Sequence, residues 1–163
     1  MVGARRLLAK SPMPSDLPLL PAPPLWRRLL AFVYDLLALI GLWVFLTLIA
    51  VVINGGQAVT GWPRVALLYL MLWLASGAYF ALSWRFGGQT LGMRPWRLHA
   101  QAADGARLSL ARAAWRYVCA SLSTLAAGAG WLWCLVDRDR QAGHDRLAGT
   151  RLALLPLPRT GLD

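Results

Sequence analysis

The sequence predicts an all-α membrane protein: a small bundle of three hydrophobic segments with a short cytoplasmic β-hairpin-like loop. Three observations carry that prediction. Hydrophobic residues make up 58% of the chain and charged residues only 15%, against about 25% charged in a typical soluble domain. Three apolar runs are long enough to cross a bilayer, which takes roughly 20 residues. The basic residues fall in blocks between those runs rather than on one face.

Residues 1–24 read as a disordered, proline-rich cytoplasmic leader. Arg5, Arg6 and Lys10 precede Pro12, Pro14, Pro18, Pro21, Pro23 and Pro24, a density that prevents a regular helix and favours extended, solvated backbone. No apolar core follows the early arginines directly, so the leader does not read as a secretory signal peptide.

A membrane domain is expected over residues 25–152, followed by a short tail, 153–163. Its first segment is Leu29–Ile53. The turn NGGQAVTGWP follows, with the breakers Gly55, Gly56, Gly61 and Pro63. The second segment is Val65–Trp84, bracketed by Trp62 and Trp84 as interfacial aromatics bracket a span. A polar stretch comes next. In it, Asp104-Gly105 is a tight-turn signal between RLHAQ and ARLSL, which predicts a hairpin of those two strings. The third segment is Ala113–Val136.

Flanking charge sets the expected orientation. The leader side holds Arg5, Arg6, Lys10, Arg27 and Arg28, the first loop only Arg64, and the second loop Arg85, Arg94, Arg97, Arg107, Arg112 and Arg116. The N-terminus and second loop are therefore expected in the cytoplasm. The end of the chain is also basic, with Arg138, Arg140, Arg146, Arg151 and Arg159. Two accounts remain open for it. In one, the third segment crosses fully and the tail is external. In the other, favoured because it gathers the polar motifs on one side, the segment breaks at Gly128-Ala129-Gly130 and returns.

The formal charge of +10 does not point to nucleic acid, because the cations are dispersed. Cys119 and Cys134 share one apolar segment and read as free packing thiols. Glutamate is missing from the chain, and there are seven aspartates. One of these, Asp35, lies inside the first apolar segment. An ionisable group there costs roughly 2.5–3.5 kcal/mol even on lenient scales, so it should face protein or water. Ala31, Asp35, Ala38 and Gly41 are expected on one small-residue face. Arg28 sits on the same side, about 10 Å away along the axis. A second stripe, Arg112, Arg116, Ala120, Thr124 and Gly128, can bring Arg116 down to the carboxylate. An intramembrane charged site of Arg28, Asp35 and Arg116 is therefore expected. It is either a static ion pair that fixes helix register or a titratable, ion-binding carboxylate.

Towards its C-terminus the chain reads DRDRQAGHDRLAGT, Asp137 to Thr150. With that motif the chain resembles the RDD family of small bacterial membrane proteins, named for one arginine and two aspartates. The family's Arg, seven residues before an Asp, matches Arg28 and Asp35. Its loop element looks like Thr90-Leu91-Gly92, and the basic entry to its third segment like Arg112 and Arg116. Its terminal motif is similar to Asp137, Arg138, Arg140, His144, Asp145, Ala148, Gly149 and Thr150. Two positions depart from the pattern: Met93 replaces the loop lysine, with Arg94 beside it, and Gly143 precedes His144 where an apolar residue is more usual. The resemblance implies a multi-pass protein of the bacterial inner membrane. It also implies one of two roles, sodium–proton exchange or assembly of larger membrane complexes.

Enzyme chemistry is not expected. Gly87 to Gly92 has the glycine spacing of a phosphate loop but lacks its lysine. His144-Asp145 has only His99 as a further histidine, too few ligands for a metal site. Ser121 and Ser123 read as helix-packing hydroxyls, and no cofactor is implied. Two hypotheses follow. One is a cation or proton transporter acting as a homo-oligomer. The other is a membrane adaptor or assembly factor whose basic loop and tail bind a partner protein or anionic lipid in the bilayer.

Overall fold

Two long apolar helices dominate the chain: α1, Leu25–Ile53, and α2, Arg64–Leu82. The computed structural model describes residues 21–126, 133–134, 137 and 141–156. The second helix runs on through a π-helical turn, Ser83–Gly87. With that turn included, both helices are long and apolar enough to cross a membrane. Their outer surfaces are left bare: Leu48, Val52 and Ile53 of α1 are 58%, 75% and 81% exposed. Apolar surface on that scale is stable in lipid rather than water.

After α2 the chain forms strand β1, Leu98–Ala102, then helix α3, Leu110–Leu125, the short helix α4, Gly143–Leu147, and strand β2, Thr150–Leu154. The strands pair antiparallel, with Leu98 opposite Leu154 and Ala102 opposite Thr150. This corrects the expected hairpin. The Asp104-Gly105 turn does form: Asp104 Oδ1 accepts from the Ala106 N–H, and Gly105 has φ +85°. The string ARLSL after it, however, does not return as a strand. Ser109 accepts from the Arg112 N–H and starts α3 as its N-cap. The place beside β1 is filled instead from the far end of the chain.

That pairing puts β2 at the same end of the molecule as the loop between α2 and α3. The leader's last residues join it there, since the Pro21 carbonyl accepts from the Leu154 N–H at 3.0 Å. The arrangement is that of the returning account of the third segment. The break at Gly128–Gly130 lies outside the described residues, as do Arg138, Arg140 and most of residues 1–24 and 153–163.

The core sits at this polar end. Ala81, Trp84, Met93, Leu98, Ala100 and Leu108 pack there with Ala113 and Leu152. Trp84, expected as an interfacial aromatic, is buried in that core, whereas Trp62 is 84% exposed. Along the spans, α2 packs tightly on α3: a side chain at Gly77 would meet the Tyr117 ring at 2.8 Å.

Candidate functional site

Four buried ionic side chains gather where α1 meets the polar core: Arg28, Asp35, Arg116 and Asp145. They are divided between two arrangements.

The first is built around Asp35. On α1 the buried residues are Arg28, Ala31, Asp35 and Leu39. Three- and four-residue steps keep that set on one face. Gly41 drifts off it, because two successive three-residue steps rotate away, and a Cβ added there would meet no other part of the fold within 4 Å. Three donors converge on the Asp35 carboxylate. Tyr79 Oη donates to Oδ1 at 2.7 Å, the Gly92 N–H donates to Oδ1 at 2.9 Å, and Thr90 Oγ1 donates to Oδ2 at 2.5 Å. The last two come from the loop element Thr90-Leu91-Gly92. Thr90 Oγ1 in turn accepts from the Met93 N–H, and Tyr79 Oη from the Leu91 N–H. Gly92 is required here, because a Cβ would run into the Ala31 carbonyl and lie 2.8 Å from Asp35 Cγ. The loop thus lies directly on α1. Met93, where the family pattern has lysine, is buried in the core.

The second arrangement is a clamp closed by Asp145. Oδ2 lies 3.1 Å from Arg28 Nη1 and Oδ1 lies 2.7 Å from Arg116 Nη2. Charge-assisted contacts at this distance are the strong ones. The carboxylate therefore ties α1 to α3 from α4. Each arginine has further anchors. Arg28 Nε donates to the Pro23 carbonyl. Arg116 Nη1 donates to Thr150 Oγ1, and its guanidinium lies 4.7 Å above the Trp84 ring, a cation–π contact.

The terminal motif now has a physical reading. His144 packs beside the clamp, with Nε2 3.5 Å from Asp145 Oδ1. Burial pushes its imidazole pKa down to about 4; Asp145 opposes the shift, while Arg116 and Arg28 add to it. Gly149 takes a left-handed φ of +60° that ends α4 and turns the chain into β2. Thr150 then reaches both Arg116 and the Asp145 carbonyl. Asp137 stands apart, accepting from the Gln141 N–H and pairing with the half-exposed Arg146 at 2.8 Å.

The expected site is therefore regrouped. Arg28 and Arg116 do come together, but on Asp145, while Asp35 is held by neutral donors. Arg112 of the expected stripe is exposed, and among the stripe's described residues only Arg116 is buried. Sequence reasoning misses Tyr79. Its only signal is a hydroxyl near the polar end of an apolar span, which has no partner until the fold supplies one. Both cysteines are free.

A cavity of about 600 Å³ separates α1, α2 and α3. Aromatic residues such as Trp43, Trp73 and Phe80 wall it, and Arg28, Asp35 and Arg116 line its polar end. Among the described residues no group of three or more His, Cys, Asp or Glu could hold a metal ion.

The model of the RDD family matches residues 22–149. No curated protein and no solved structure matches the chain.

Proposed function

The chain belongs to the RDD family, and from that premise we propose that it is a non-transporting membrane scaffold whose buried charges lock a polar cap onto two spans. The observation that carries this reading is the clamp: Asp145, 0% exposed, touches both Arg28 and Arg116. Among the described residues the two buried arginines are matched by two buried aspartates, and His144 is neutral at physiological pH. A carrier needs a charged group that exchanges its partner during the cycle. Here both Asp35 oxygens already hold donors, and a cation would have to displace one of them. A rigid cap next to exposed apolar helix faces suits assembly with another membrane protein. The basic flanks support a cytoplasmic N-terminus and a cytoplasmic cap at the inner membrane of a bacterial cell.

One observation favours a second reading. Asp35 lines the 600 Å³ cavity, and a water-filled cavity beside a carboxylate is what cation or proton transport requires. A chain this short would then act as a homo-oligomer.

Sodium and proton flux in proteoliposomes separates the two. The scaffold reading expects no gradient-coupled flux from the wild type. Flux that disappears in a folded Asp35→Asn variant would overturn it in favour of transport.

A further inference from the structure

A second, smaller cavity lies on the other side of Trp84, away from the clamp. It forms where the π-helical turn ends the second span and β1 begins. Its volume is about 60 Å³, and Arg85, Gly87, Gly88, His99 and Arg107 line it with Trp84. No carboxylate is among its described lining residues. Neither Arg85 nor Arg107 forms an ion pair among the described residues. Arg85 lies over the ring of its neighbour Phe86, and that ring is 77% exposed. The indole N–H of Trp84 is buried without an acceptor.

Two arginines border the pocket, Arg85 half-buried and Arg107 exposed, and the buried Trp84 donor goes unused, when buried polar groups are normally satisfied. The local backbone is built around the pocket. Gly88 takes φ +66°, and a Cβ there would run into the His99 ring. The Gly88 carbonyl accepts from the Ala100 N–H at 2.7 Å, fixing β1 against the turn. π-helical turns occur frequently at functional sites. Burial, together with the adjacent Arg107, pushes the His99 imidazole pKa down, so the ring lines the pocket in its neutral form, with one N–H to donate.

We propose that the pocket of Arg85, His99 and Arg107 binds one phosphate group. Size limits the ligand. One water needs roughly 10–15 Å³ of such space, so the pocket holds about four oxygen-sized atoms, a tetrahedral oxyanion rather than a nucleotide. Arginine forks match phosphate oxygens two at a time. The place in the fold fits both a lipid headgroup and a free phosphate. The pocket lies where apolar span gives way to polar loop, beside the exposed Phe86, which is headgroup depth for a membrane protein. The inference needs only the membrane placement of α2 and stands whether or not the chain transports ions.

The test follows the ring signals of His99 by NMR in the full-length protein. One arm adds inorganic phosphate to protein in a neutral detergent. The other titrates phosphatidylglycerol as mixed micelles into protein in the same phosphate-free neutral detergent. A saturable shift in either arm is expected. A shift with phosphate alone identifies a free oxyanion as the ligand, and one with phosphatidylglycerol alone identifies a headgroup. Arg85→Gln and Arg107→Gln should each weaken the response about tenfold. Arg112→Gln, which removes an exposed charge outside the pocket, should change it less than about twofold. Neither arginine of the pocket holds another element in place, so the variants are expected to keep wild-type helicity. Lack of a saturable shift in both arms overturns the proposal. So does an Arg112→Gln effect as large as the others, since that would mean diffuse attraction to basic surface.

Discussion

Asp145 and Arg116 meet at 2.7 Å with side chains 0% and 4% exposed, and the same carboxylate reaches Arg28 on a different helix. Removing the charge at position 145 leaves two buried guanidiniums facing each other. Asp145→Asn should therefore destabilise the protein by about 3–5 kcal/mol, the cost of breaking a buried pair from one side. Denaturant unfolding in detergent micelles measures this. A variant as stable as the wild type would show that the clamp does not hold the cap.

Lysine cannot replace Arg116. It keeps the charge but loses the planar fork that spans Asp145 and Thr150 and the face that lies on Trp84. Arg116→Lys is expected to cost about 1–3 kcal/mol. In a double-mutant cycle with Thr150→Val the two losses should be less than additive, because they share one contact.

At Asp35 the expected order of effects separates charge from shape. An asparagine side chain still offers one oxygen acceptor, and the Thr90 hydroxyl can turn to accept from the new amide, so Asp35→Asn should cost about 1–3 kcal/mol. Gly92→Ala should cost more, since the added carbon collides with α1 backbone that cannot yield easily. Thermal unfolding of the two variants gives the order. Were the alanine variant the more stable one, the loop would not be seated on α1 as described.

Stability should fall in mild acid because of His144. Its folded pKa is pushed down to about 4 by burial, against about 6.5 in an unfolded chain. Between those values the unfolded state binds the proton and the folded state does not, so stability rises with pH across that window. The contribution is complete above about pH 6.5 and is lost as pH drops towards 4, by up to about 3 kcal/mol. His144→Phe should flatten the slope of unfolding free energy between pH 4 and 6.5. An unchanged slope would place the titration elsewhere.

Packing of α2 on α3 can be tested at Gly77. A methyl group there would press on the Tyr117 ring at 2.8 Å, and Tyr117 Oη donates to the Trp73 carbonyl one turn away. Gly77→Ala is expected to cost about 1–3 kcal/mol through overpacking. Adding Tyr117→Leu should recover part of the loss, as measured by the unfolding midpoint of the double variant.

By itself the sequence determined the membrane class, the end of α1 at Ile53 though not its start at Leu25, the extent of α2 to within two residues, and the family. These follow from hydropathy over a window and from motif spacing, both of which are local properties of the chain. It also marked Arg28, Asp35 and Arg116 as residues to watch, because a charge in or beside an apolar run needs a partner, and marked Asp145 only through the resemblance of the terminal motif. Which partner each one takes was decided by the tertiary structure. Arg28 and Asp145 are 117 positions apart, and nothing in the spacing of either tells that they touch. Asp35 is the nearest acid to both arginines by sequence pattern. It is instead covered by a loop whose backbone and hydroxyl donors become available only once Gly92 lies on α1. The hairpin failed for the same reason. The turn at Asp104-Gly105 is local and formed as expected, but Ser109 capped a helix where the second strand should have begun. A strand edge is satisfied by whichever segment reaches it, and here that segment was Thr150–Leu154.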